Sequence, residues 1–230
     1  MKNKNIFIEM TENVAIELSK LKREFVFVGG AISSLYMEDI ASPLVRPTDD
    51  VDCIIEISTV DEYYHLEEEL RQLKFTNDIS PGAPICRWKY LGITIDIMPI
   101  DSSILGFSNQ WYKDGFQNAQ KVKLPKGTEI FIFTLPYFFA AKFEAYNGRG
   151  GGDPRLSHDI EDILLVIDGH IDPVAEIAKS EERIKKYLAK EFSNFTLKSI
   201  FQEAIEAVLS REGRGRIERV EEIIRKIILF

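Results

Sequence analysis

Arg46-Pro47-Thr48-Asp49-Asp50-Val51-Asp52-Cys53-Ile54-Ile55 passes from a basic, hydroxyl-bearing stretch through alternating acids into hydrocarbon. Successive side chains on a strand point to opposite faces, so Asp50 and Asp52 share a face with Cα atoms roughly 6.5 Å apart. Val51, Cys53, Ile55 and Ile57 take the other face and predict a half-buried strand over 51–57. Two carboxylates held that close repel each other unless a cation neutralises them. Upstream, the apolar run Phe25-Val26-Phe27-Val28 exits into Gly29-Gly30, and a helix is predicted from about Ala31. Such a helix start turns backbone N–H groups and its positive dipole end toward phosphate, and Ser33 or Ser34 would add a hydroxyl donor. A glycine turn alone is commonplace, and a lone Asp-x-Asp is usually a solvated strand edge. Together they predict a site for a metal-bound triphosphate.

A third acid fits the same scheme. Cys86-Arg-Trp-Lys-Tyr90, Leu91-Gly92 and Ile93-Thr-Ile-Asp96-Ile-Met98 read as two strands around a glycine turn. Ile93, Ile95 and Ile97 share one face, which leaves Asp96 on the other with Thr94 and Met98. An acid in the middle of an apolar strand is costly unless it is paired or bound to a cation. Magnesium, or manganese in its place, is the candidate that prefers such hard oxygen ligands.

The order Gly29-Gly30, Asp50-x-Asp52 and a later Asp96 resembles the nucleotidyltransferase superfamily that contains the DNA polymerase β palm. Within it the chain is most similar to the AbiEii-type nucleotidyltransferases, the toxin half of some bacterial toxin–antitoxin pairs. The basic–x–hydroxyl–x–Asp–x–Asp run of that group matches Arg46-Pro-Thr48-Asp-Asp50-Val-Asp52, and the resemblance covers roughly residues 25–165. It implies an α/β (α+β) fold, a mixed sheet with flanking helices followed by an all-helical C-terminal domain. It also implies transfer of a nucleoside monophosphate from an NTP to a hydroxyl acceptor. Asp50, Asp52 and Asp96 would then be the catalytic and metal-holding residues, with Asp96 placed to orient or deprotonate the acceptor. Gly29, Gly30, Ser33, Arg46, Thr48, Lys142 and Asp159 would bind the nucleotide. The implied acceptor is an RNA end, such as tRNA, or a protein side chain, and a cognate antitoxin is an implied partner. The same Arg-x-Thr-x-Asp-x-Asp run is similar to small-molecule antibiotic nucleotidyltransferases, which makes a small hydroxylated acceptor the alternative. A non-catalytic binding protein on the same fold is the third reading, and three converging acids argue against it. The base-selecting Glu-Asp-x-x-Arg run of CCA-adding enzymes has no counterpart.

The 230 residues suffice for a substantial core and one or two domains. A hydrophobic share of 45% with 29% charged residues belongs to a folded globular chain and excludes a disordered one. No apolar run approaches the ~18–20 residues of a membrane span, and Met1-Lys-Asn-Lys-Asn-Ile lacks the core of a signal peptide, so a cytoplasmic protein without membrane contact is expected. Cys53 and Cys86 lie in predicted strands and read as buried free thiols. The net charge of −8 argues against broad duplex DNA binding, which depends on neutralising phosphates. Two basic clusters, Lys113, Lys121, Lys123 and Lys126, and Arg211, Arg214 and Arg216, are either solvated faces or RNA contacts. The histidines His65, His158 and His170 are not at metal-ligand spacing, and no Walker A run or nucleophile triad occurs.

Helices are predicted over 9–22 (Val14, Leu18, Leu21) and around Leu66, Leu70 and Leu73 with Asp61 as N-cap. An extended segment is expected within 36–47. A last strand over 129–133 precedes a change to helical pattern, which divides the chain into a nucleotidyltransferase domain, 1–130, and a helical domain, 131–230, expected to close the nucleotide cleft. In the second domain a helix runs from Pro136 to Tyr146 and stops at the flexible-looking Asn147-Gly-Arg-Gly-Gly-Gly-Asp-Pro154. Another, capped by Ser157, ends at Gly169, a long one restarts at Asp172-Pro173, and two follow at 197–209 and 216–229. Lys142 sits among Phe138, Phe139 and Phe143. It either snorkels to the surface or meets the triphosphate. Lys142, Arg149 and Asp159-Ile-Glu-Asp162 match the lysine, arginine and Asp-x-x-Asp of the AbiEii-like pattern, with His158 where that family has a basic residue. Asp159 in a first helical turn also complements the helix dipole.

Overall fold

The computed structural model describes residues 2–39, 46–209 and 213–230, with side chains from Ile6 onward. Arg211 and positions 40–45 of the expected extended segment lie outside the described residues. The chain divides into two units, Met1–Ile32 with Pro47–Thr134, and Ser33–Arg46 with Leu135–Phe230.

The first unit carries α1 (Lys2–Leu18), β1 (Phe25–Val28), β2 (Asp50–Ile55), α2 (Val60–Gln72), β3 (Thr76–Asn77), β4 (Arg87–Tyr90) and β5 (Ile93–Pro99). It continues with short helices α3 (Ser102–Leu105) and α4 (Tyr112–Gln117), then β6 (Gln120–Lys123) and β7 (Glu129–Ile132). All strands join one sheet in the order β3-β4-β5-β2-β1-β7-β6. β2 is its centre, antiparallel to β1 and parallel to β5, while β1 also pairs in parallel with β7. The sequence alternation predicted one apolar face for β2, yet Val51, Cys53, Ile54 and Ile55 are all buried. A central strand is covered on both faces, and only its first residues keep the acid-out pattern.

α1 begins before the expected residue 9, and Phe7, Val14 and Leu18 face the core. α2 is capped by Thr59 instead of Asp61: the Thr59 hydroxyl accepts from the Glu62 N–H at 3.1 Å, and Asp61 falls in the first turn. The turn between β4 and β5 places Leu91 at φ 49° and Gly92 at φ 81°. Two left-handed residues are what a tight two-residue hairpin requires, and the turn sets Tyr90 opposite Ile93. A seven-residue 3₁₀ helix, Gly30–Tyr36, stands where an α-helix was expected.

The second unit is helical: α5 (Leu135–Gly148), α6 (His158–Gly169), α7 (Pro173–Ala178), α8 (Glu182–Thr196), α9 (Phe201–Leu209) and α10 (Arg214–Ile227). Ser157 caps α6 by accepting from the Ile160 N–H. Phe139 and Phe143 of α5 pack edge-on against Phe192 of α8, at 88° and 87°. The long helix expected after Pro173 is two helices. The Ser180 hydroxyl donates back to the Ile177 carbonyl at 2.6 Å, a side-chain bond that competes with helix continuation. The glycine segment after α5 is pinned: the Tyr146 hydroxyl donates to the Gly151 and Gly152 carbonyls, and Lys198 Nζ reaches the Gly151 carbonyl at 2.9 Å. No described helix is long and apolar enough to cross a membrane.

Candidate metal centre

Strand register assembles the centre. In the parallel β2–β5 pair Asp52 lies opposite Asp96, and Asp50 opposite Thr94. Asp50, Asp52 and Asp96 each bring a carboxylate oxygen within 4.8 Å of the others, with Asp96 buried and the other two half-buried. The Thr48 hydroxyl donates to Asp50 Oδ1 and fixes that carboxylate. Three carboxylates and no sulfur or nitrogen form a hard, anionic donor set, the chemistry that suits magnesium or manganese. The donor set therefore fits a divalent cation.

The surroundings of position 29 require a glycine. It follows Val28, the partner of Asp52 in the β1–β2 ladder, and adopts φ 77°. A Cβ on Gly29 would lie 2.7 Å from Asp52 Cγ and nearer still to Oδ2. The glycine thus makes room for the carboxylate. Gly29→Ala is expected to cost about 1–3 kcal/mol in denaturant unfolding, since left-handed backbone and a clash add. Gly92→Ala, at φ 81° with nothing within 4 Å, carries the backbone strain alone. Equal losses in the two variants would show that the Asp52 contact has no weight.

Sequence reasoning missed Arg87. It stands directly opposite Asp96 in the β4–β5 ladder and holds it with a two-pronged fork, Nε to Oδ1 at 2.8 Å and Nη2 to Oδ2 at 2.7 Å. The bonds to Asp96 raise the Arg87 pKa further above its ordinary value, and the field of Asp50 adds to this. A signal existed in the sequence: counting back from the two-residue Leu91-Gly92 turn pairs position 87 with 96. Cys53 and Cys86 are buried free thiols. Burial raises both pKa values, that of Cys86 to about 12, so neither is a thiolate ligand near neutral pH.

Arg46, Lys142 and Asp159, also expected binding residues, belong to the helical unit and join a charge network there. Lys142 on α5 does not snorkel: its side chain is 10% exposed, and its Nζ lies 2.6 Å from Asp162 Oδ2 and 3.3 Å from Asp159 Oδ1 on α6. Arg149 also pairs with Asp159, and Arg46 Nε lies 3.9 Å from carboxylate oxygens of both Glu161 and Asp162. Arg46, Lys142, Arg149, Asp159 and Asp162 therefore meet although they are scattered in sequence. Ser33 and Ser34 are buried, and neither hydroxyl has a hydrogen-bond partner among the described residues.

The basic clusters are largely matched by acids. Lys121 pairs with Glu129, Lys126 with Glu9, and Arg214 with Glu218. Arg216 is committed to Asp168 and Asp39, at 2.6 and 2.9 Å.

No family model matches the chain, and no curated protein matches it. Among solved structures its fold is similar to the crystal structure of an antigenic nucleotidyltransferase-like protein from Paracoccidioides brasiliensis, with a TM-score of 0.51. The match covers 89% of this chain and 92% of that one at 18% identity, so the likeness is one of fold.

Proposed function

We propose that this chain is a metal-dependent nucleotidyltransferase that moves a nucleoside monophosphate from an NTP to a hydroxyl acceptor. One observation carries the reading: three aspartates on adjacent parallel strands of a nucleotidyltransferase-like fold bring their carboxylates within 4.8 Å of one another. Asp50, Asp52 and Asp96 would hold magnesium or manganese. The bound metal would neutralise charge on the triphosphate and lower the pKa of the incoming hydroxyl. Asp96 would orient or deprotonate that hydroxyl as the oxygen attacks the α-phosphorus in line and pyrophosphate leaves. Thr48 keeps Asp50 aimed, and Gly29 keeps the space that Asp52 occupies. Gly29, Gly30 and Ser33 are proposed phosphate contacts, and the unmatched Ser33 hydroxyl supports this. Arg46 remains a proposed nucleotide contact. Lys142 and Asp159 also remain proposed nucleotide contacts, beside the pairing of Lys142 with Asp162 and Asp159 that ties α5 to α6.

For the acceptor, the AbiEii-type pattern favours an RNA end such as tRNA, with a cognate antitoxin as a proposed partner. The matched basic clusters favour the second reading, a small hydroxylated compound. The deciding experiment incubates the protein and magnesium or manganese with each α-labelled NTP, offering total RNA in one arm and hydroxylated small molecules in another. Label in RNA that weakens steeply with salt supports the first acceptor. Salt-insensitive label on a small compound supports the second. No labelled product with any NTP and either metal would overturn the transferase reading.

A further inference from the structure

The position of Arg87 deepens the proposed metal reading, on which this inference rests. We infer that Arg87 is a positioning residue that competes with the cation for Asp96 and holds that carboxylate in its working orientation. Asp96 sits at the inner side of the cluster, opposite Asp52 on β2 and opposite Arg87 on β4. The guanidinium donates one bond to each carboxylate oxygen of Asp96 in the fork–fork geometry that Arg forms with carboxylates. Each oxygen keeps remaining acceptor capacity, so Asp96 can still ligate, with its plane fixed by the fork.

Charge sharpens the argument. Within the cluster, the Arg87 guanidinium offsets part of the negative charge of the three carboxylates that a divalent ion would otherwise meet. With Arg87 neutralised, the pocket would attract cations more strongly, but Asp96 would lose the partner that sets its rotamer. The two effects act in opposite directions on two different measurements. An arginine that only props the β4–β5 hairpin would not produce that split.

The test measures Mn²⁺ binding to the full chain without nucleotide, by calorimetry or by the spin resonance of free Mn²⁺, alongside nucleotide transfer. Arg87→Gln is expected to bind Mn²⁺ about tenfold more tightly, since a cation in contact with one ligand has gone. Its transfer rate is expected to fall about ten- to a hundredfold, as for partners that orient metal ligands. Arg87→Lys keeps the charge but not the fork. It should bind Mn²⁺ within about threefold of the parent and lose transfer to a similar degree. Unchanged or weaker Mn²⁺ binding by a folded Arg87→Gln overturns the competition. If that variant does not fold, full transfer activity in Arg87→Lys overturns the positioning role. A parent protein that binds no Mn²⁺ would instead overturn the metal reading itself, so the two failures are distinct.

Discussion

Asp52→Asn is expected to reduce metal-dependent nucleotide transfer by about 10³-fold, the order lost when a central electrostatic contact in a reacting site is removed. Asp52 lies at the crossing of two ladders: Val28 is its partner on β1 and Asp96 its partner on β5. Asparagine has nearly the same shape, so Gly29 can still pack against it, and the β2 ladder is untouched. What disappears is one negative charge among three, which relieves repulsion while no metal is bound. Thermal unfolding without metal should therefore occur at the same temperature or higher, and the increase in stability on adding Mn²⁺ should shrink. Near-full transfer by the variant, or loss of folding, would sink the assignment of the centre.

The second large effect belongs to the helical unit. Lys142→Met is expected to destabilise the protein by about 3–5 kcal/mol, the cost of removing one member of a buried ion pair. Methionine keeps most of the apolar stem but removes the charge. Asp162 and Asp159 are buried and would both lose the ammonium, which leaves Asp159 only the exposed Arg149 and Asp162 only Arg46 at 3.9 Å among the ion pairs described above. Adding Asp162→Asn to Lys142→Met should recover part of the loss, and the coupling in this double-mutant cycle reads the pair directly. Denaturant unfolding measures both. A Lys142→Met protein of parental stability whose nucleotide affinity falls ten- to a hundredfold would support the proposed phosphate-binding role over the structural one, each tenfold step being about 1.4 kcal/mol.

Much of the sheet was legible because its strands carry period-2 signals interrupted by residues that do not belong in hydrocarbon. Phe25–Val28 was read to the residue, and Asp50, Asp52 and Asp96 stood out as acids in apolar strands. The short strands β3 and β6 were not read, since Thr76–Asn77 and Gln120–Lys123 have no apolar alternation and owe their conformation to pairing with β4 and β7. The break between α7 and α8 carries no proline or glycine, and only the back-bonding of Ser180 marks it. Tertiary partners were the least legible. Asp159 could be read as a helix-dipole residue, but nothing in its spacing points to Lys142 on another helix. Ser33–Arg46 belongs with the helical unit, a division that local pattern does not express.

The parallel pairing of β1 with β7 has a consequence for synthesis of the chain. Val26 and Phe131 are neighbours in the sheet but are made at opposite ends of the first unit. β1, β2 and β5, the strands that build the carboxylate cluster or flank it, are all translated before β7. A nascent chain can pair those strands while one side of β1 still presents bare N–H and C=O groups along Phe-Val-Phe-Val. Such an apolar open edge invites pairing with other chains until β7 covers it. Long-range parallel closure of this kind is also slow. The interval between release of β5 and arrival of β7 from the ribosome is then the period in which this protein is most exposed to misassembly, and the one in which chaperone protection of the nascent chain would matter most.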